Sequence, residues 1–156
     1  MTSAVPNPGA GPAASADAPV LGFDFGLRRI GLACGNRLTG TAAPLPAVAH
    51  GPAGPDWPAI DRQVREYGPG LLVVGDPRNV DGTPGGLHER AGAFARALGE
   101  RYGLPVECVD EHLSSREAEA ELKAQRAAGE RRRRVHKADI DSLAAALILE
   151  RWLARQ

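Results

Sequence analysis

The stretch 20-VLGFDFGLRRIGLAC-34 holds two short apolar runs, Val20–Phe25 and Ile30–Cys34, separated by Gly-Leu-Arg-Arg. Two apolar runs around so short a polar break predict a pair of strands joined by a tight turn, a β-hairpin. Side chains alternate along a strand, so Leu21, Phe23 and Phe25 fall on one face and Gly22, Asp24 and Gly26 on the other. A carboxylate inside so apolar a strand is costly unless it binds a cation or is paired. The glycines beside it would let a ligand approach the backbone. Two readings stand: Asp24 holds a ligand, or it forms an ion pair with Arg28 or Arg29 across the turn.

Working outward, Thr41–His50 is a weaker strand, pushed to an edge because Pro44 and Pro46 each remove a ladder donor. After the loop Gly51–Pro58, Trp57, Ile60, Val64 and Tyr67 recur at helical spacing until Gly68-Pro69-Gly70 stops the helix. Leu71–Val74 is too short for a helix and predicts a strand buried on both faces, as in parallel sheets. A turn-rich loop, Gly75–Gly86, leads to a helix over Leu87–Tyr102 that ends at Gly103, and Val106–Val109 predicts another buried strand. Ser114 with Glu117 forms a capping box opening a helix to about Ala128. A last helix runs from Ile140 to Ala154, with Leu143, Ala144, Leu147, Ile148 and Trp152 on its buried side. The order βββαβαβαα predicts an α/β fold: a mixed five-stranded sheet, three antiparallel strands and then βα alternation, flanked by helices.

Composition narrows the class. Hydrophobic residues make up 43% and charged residues 24% of 156, the balance of a globular domain. Residues 1–19 lack the charged and apolar parts of a secretory signal and read as a disordered tail before a single domain over 20–156. No apolar run is long enough to span a membrane. Cys34 and Cys108 sit in apolar runs without metal or redox spacing, which predicts reduced, buried thiols and a cytoplasmic protein. With 19 basic and 19 acidic residues the formal net charge is zero, so bulk charge does not bind a polyanion; charge segregation has to.

Two further pairs of carboxylates carry chemistry or its bland alternative. Asp110-Glu111 ends the second buried strand, where α/β sheets collect ligands, though acidic strand ends are commonly solvated turns. Asp139 and Asp141 open the last helix, where capping accounts for one of them. Asp141 is the better site candidate, three and four positions before the small residues Ala144 and Ala145. Carboxylates on two strands and a helix suit hard divalent cations, Mg²⁺ or Mn²⁺, and a pair of such ions hydrolyses phosphodiesters.

The segments GFDFGLRRIGLA (22–33), VVGDPRNVDGT (73–83), VDEHLSSREAE (109–119) and HKADIDSLAAALILERWL (136–153) together resemble the YqgF family, also called RuvX, over nearly all of residues 20–154. The resemblance implies an RNase H-like fold, with Asp24, Glu111 and Asp141 as catalytic, metal-ligating residues. It implies a nuclease that processes the 5′ end of precursor 16S ribosomal RNA, or alternatively a Holliday junction resolvase. Two positions depart from the family pattern: His112 stands where Arg is usual, and Asp76 where an apolar residue is usual.

Nucleic-acid contacts are expected from Arg28 and Arg29 and from the basic run 130-ERRRRVHK-137, which leads into Asp141 and supplies Arg131, Arg132, Arg133, Arg134 and Lys137, with His112 beside them. In the loop Gly75–Gly86, Asn79 and Asp81 either satisfy turns or belong to a rim that closes on substrate. Two Trp, two Tyr and three Phe argue against a stacking platform for single strands and for structured RNA or branched DNA. The protein would act as a monomer or homodimer. An actin-like or sugar-kinase-like ATPase needs two such domains, and the chain has no phosphate loop of the GxxxxGK[ST] kind. A non-catalytic RNA-binding assembly factor remains the third reading, against which three retained carboxylates count.

Overall fold

Strand β1 (Val20–Asp24) pairs antiparallel with β2 (Arg29–Asn36), so the predicted hairpin forms, with Leu21 opposite Cys34 and Asp24 opposite Gly31. These positions come from a computed structural model that describes residues 18–76, 87–110 and 137–156, side chains included except at positions 76, 110 and 137–141. The tail reading for residues 1–17, the loop 77–86 and the helix and basic run within 111–136 lie outside the described residues.

Strand β3 (Thr41–Gly51) continues the antiparallel meander on β2, and the two-residue β4 (Gly54–Pro55) hooks back onto His50 and Gly51. The register slips between Ile30 and Leu32, which pair with Val48 and Leu45, so Pro46 and Ala47 form the irregularity. A proline there removes no ladder bond, which is how an eleven-residue strand accommodates it. Helix α1 (Trp57–Tyr67) follows, its first turn capped by the Asp56 carboxylate accepting from the Ala59 amide at 3.2 Å. It ends at Gly68 in the left-handed conformation, φ 54°.

Strand β5 (Leu71–Asp76) lies parallel to β1 and to β6 (Val106–Asp110), with α2 (His88–Tyr102) between them in sequence. Spatial order is β4-β3-β2-β1-β5-β6, six strands where five were expected, because the short β4 adds a sixth at the edge. Residues 71–75 are buried on both faces as predicted, whereas β6 borders the sheet and leaves Glu107 and Cys108 exposed. Cys108 is therefore not the buried thiol its apolar neighbours suggested; Cys34 is half-buried, and that burial pushes its thiol up.

Alternation divides the core in two. Leu21, Phe23, Phe25, Ile30, Leu32, Leu72 and Val74 face α1 and α2, packing on Ile60, Phe94 and Leu98. Val20, Ala33, Leu71 and Val73 face the last helix, α3 (Lys137–Ala154), and pack on Ala145, Ile148, Leu149, Trp152 and Leu153. Leu143 and Leu147, expected inside, are only half-buried. They share the outer side of α3 with Glu150 and Arg151, whereas Ala144, Ile148 and Trp152 are buried as expected, together with Ala145, Leu149 and Leu153. The Ser142 hydroxyl anchors the front of α3 by donating to the Leu45 carbonyl at 2.5 Å. Among the described residues no helix is long and apolar enough to cross a membrane.

Candidate active site

Asp24 is the last residue of β1 and is only 7% exposed. Its register partners on both sides are glycines, Gly31 on β2 and Gly75 on β5. All three occupy the face covered by α3, so the two positions directly opposite the carboxylate carry no side chain. The glycines before and after Asp24 have other causes than ligand access. A Cβ at Gly22 would lie 2.4 Å from Leu149 Cγ, so this glycine lets α3 seat on the sheet. A Cβ at Gly26 would lie 2.5 Å from the Arg29 carbonyl oxygen, so this one lets the hairpin turn close.

The parallel strands bring their carboxyl ends to the same edge. The row Asp24–Gly75–Val109 is followed by Asp76 paired with Asp110, and Glu111 is the residue directly after β6. Only β5 separates β6 from β1, so the two strands run about 10 Å apart. Glu111 itself, like His112, Arg131, Arg132, Arg133, Arg134, Asn79 and Asp81, lies outside the described residues.

Asp141 falls within α3, which already runs at Lys137, so neither Asp139 nor Asp141 is the residue capping the helix from outside. Position 141 stands three, four and seven residues before Ala144, Ala145 and Ile148, all at most 1% exposed. Those are the offsets of one helical face, and α3 packs along β1, β2 and β3 on the face that carries Asp24. Lys137 is the helix's first residue. Among the described residues no cluster of three His, Cys, Asp or Glu could hold a metal ion, and two of the three expected ligands are not among the described side chains.

Arg28 at the hairpin tip is exposed and Arg29 half-buried, three and four residues beyond Phe25. Sequence reasoning missed the residue that shapes this turn, His50, because it is 22 positions away and carries no motif. A cavity of about 610 Å³ lined by His88, Arg90, Arg96 and Cys108 lies on the α2 side of the sheet, not at Asp24.

An antiparallel three-stranded meander, two parallel strands added beside β1 and a helix laid across the face that carries a β1 aspartate define an RNase H-like α/β protein. The same fold appears in the solved structure described as T. thermophilus RuvC in complex with Holliday junction substrate, at TM-score 0.53 and 17% identity, covering 88% of this chain and 94% of that one. The RuvX family profile, described as Holliday junction resolvase, matches residues 18–155. Proteins of Xanthomonas oryzae pv. oryzae strain PXO99A and Xanthomonas campestris pv. campestris strain B100, provisionally named pre-16S rRNA nucleases, are each 49% identical over 138 residues and 88% of either chain. The chain belongs to the RuvX, or YqgF, family and is a nuclease, a hydrolase of phosphodiester bonds.

Proposed function

We propose that the protein hydrolyses a phosphodiester of structured RNA, trimming the 5′ end of precursor 16S ribosomal RNA in the cytoplasm, with divalent ions held by Asp24, Glu111 and Asp141. The observation that carries this reading is Asp24, a carboxylate 7% exposed at the carboxyl end of β1 with glycines as its neighbours on both adjoining strands. The donor set fits hard cations, which take carboxylate oxygens. Bound Mg²⁺ or Mn²⁺ would polarise a phosphate oxygen and activate water. The names of the Xanthomonas relatives support ribosomal RNA as substrate.

The chain's own residues supply the rest. Asp24 sits on the rigid central strand, so its carboxylate is held without an entropic cost at the moment of reaction. Arg28 and Arg29 follow within five positions and place two cations next to that carboxylate's strand end, suited to the phosphates flanking the reacting one. Arg131, Arg132, Arg133, Arg134, Lys137 and His112 would extend the same contact, and Asn79 and Asp81 follow β5 in sequence. One domain over residues 20–156 carries all of these groups.

A second reading, cleavage of four-way DNA junctions, is favoured by the family description and the RuvC fold. The two are separated by offering end-labelled precursor rRNA fragments and four-way junctions, each with Mg²⁺, Mn²⁺ or EDTA. Metal-dependent cutting of the rRNA at its 5′ flank supports the first reading. Symmetric cutting of the junction alone moves the assignment to the second, and binding without cutting to an assembly factor.

A further inference from the structure

The turn that follows Asp24 is held in shape by a residue from another strand. His50, on β3, reaches it twice: its ring Nδ1 lies 2.7 Å from the Gly26 carbonyl oxygen, and its backbone amide donates to the Arg28 carbonyl oxygen at 2.9 Å. A carbonyl only accepts, so Nδ1 carries the hydrogen. The same ring meets Phe25 edge-on, centroids 5.2 Å apart at 60°, and Phe25 is itself 6% exposed in the core. One residue thus fastens Phe25, Gly26 and Arg28, while the absence of a Cβ at Gly26 lets the chain double back on the Arg29 carbonyl. His50 is in turn fixed, since β4 pairs Pro55 with it and the Asp56 amide donates to the Ala49 carbonyl at 2.9 Å.

Fastening of this kind is more than the hairpin needs in order to exist. The strands on either side are already paired from Val20 to Asp24, and a two-strand turn normally stays mobile at its tip. The tip here bears exposed Arg28 and begins two residues after a buried carboxylate. A cation on a fixed tip loses less freedom on meeting a phosphate than one on a mobile tip.

We propose that His50 is a positioning residue of the active site: by holding the Gly26 and Arg28 carbonyls it presets the Gly26–Arg29 turn, so that Arg28 meets a substrate phosphate at a fixed distance from Asp24. This rests on the reading of Asp24 and Arg28 as parts of the nuclease site. The link acts on substrate engagement and leaves the chemical step to other groups.

The test uses the full chain, a base-paired RNA fragment and a four-way DNA junction as probes. Affinity is read by fluorescence anisotropy in EDTA, and kcat and KM in Mg²⁺. His50→Ala should raise Kd and KM about fivefold and leave kcat within about twofold, the pattern of lost binding preorganisation. His50→Asn, whose side-chain amide can donate where Nδ1 does, should restore both to within about twofold of wild type. His50→Leu fills the space beside Phe25 and donates nothing, so it should behave as His50→Ala, and it stands in for that variant if alanine at 50 fails to fold. In an Arg28→Ala background, removing the histidine should add nothing, because the two act through one contact. Wild-type affinity in His50→Ala or His50→Leu, no rescue by Asn, or effects that simply add to those of Arg28→Ala would each overturn the proposal while leaving the nuclease reading intact. Wild-type affinity in Arg28→Ala would instead overturn the reading of the turn itself, and the proposal with it.

Discussion

Gly22→Ala puts a methyl into the seam where α3 meets the sheet. Its Cβ would stand 2.4 Å from Leu149 Cγ and 2.9 and 3.0 Å from the two Cδ atoms, against about 3.5–4.0 Å for carbon atoms in contact. Leu149 is fully buried, so it has no free side to swing into. Overpacking of this size costs about 1–3 kcal/mol. About 0.5 kcal/mol returns because alanine leaves the unfolded chain fewer conformations than glycine, for a net loss of ~1.5 kcal/mol. Leu149→Ala alone should lose about 3 kcal/mol, the removed methylenes plus the cavity they leave. Were the sites independent the double variant would lose about 4.5 kcal/mol, whereas the new methyl fits the vacated space and the overlap disappears, leaving about 2.5. Urea unfolding of the four proteins, followed by tryptophan fluorescence and checked for equal slopes, gives the coupling directly. Because α3 also carries Asp141, Gly22→Ala should lose cleavage at temperatures where it remains folded. Losses that add to within about 0.5 kcal/mol would refute the claim that Gly22 exists to seat Leu149.

Other expectations follow from local geometry. The Arg101 guanidinium donates to Asp61 through two nitrogens at 2.8 Å and the Tyr102 hydroxyl at 2.6 Å, which together hold the Asp61 carboxyl well below its ordinary 3.8. A depressed folded-state pKa contributes stability above the unfolded value and loses it as pH falls. Wild type should therefore melt above Asp61→Asn at pH 6, the gap closing as pH drops below 3.8, and a gap constant with pH would contradict this. Gly68→Ala meets no atom within 4 Å but must adopt φ 54°, so it should cost about 1 kcal/mol in a thermal melt through backbone strain alone. Arg28→Ala should weaken binding of RNA of any sequence and lower the slope of log K against log salt by about one, where an unchanged slope would remove Arg28 from the phosphate contacts.

Periodicity makes much of this fold legible in the sequence, for reasons visible at single residues. Strand alternation in 20–25 predicts the two faces that Phe23 and Val20 bury, and Gly68 and Gly103 mark helix ends because each stands in the left-handed region. Edge effects were not legible. Val106–Val109 reads as a buried run, and only the sheet order reveals that its strand borders the sheet and exposes Cys108. On α3, Ala144, Ile148 and Trp152 are buried as their spacing predicts, but the helix is apolar nearly all round, so the half-buried Leu143 and Leu147 look as eligible in sequence as the buried Ala145 and Leu149. At the site, the apolar neighbours of Asp24 advertised a carboxylate out of place, and the structure confirms its burial. Gly22 and Gly26 suggested ligand access, whereas packing on Leu149 and closure of the turn explain them, causes that depend on groups distant in sequence or on turn shape. His50 could not be found from the sequence, since its link to Gly26 depends on the bulged register of β2 on β3.

The most direct test of the account is cleavage by Asp24→Asn, measured under single turnover in Mg²⁺ at an enzyme concentration that saturates the substrate wild type cuts best. The account predicts a variant that folds and binds like wild type, since Asn fills the same volume, yet cuts at least about a thousandfold more slowly, the scale of a lost charge-stabilising group. A variant that cuts at the wild-type rate would contradict the assignment of Asp24 as the centre of the active site.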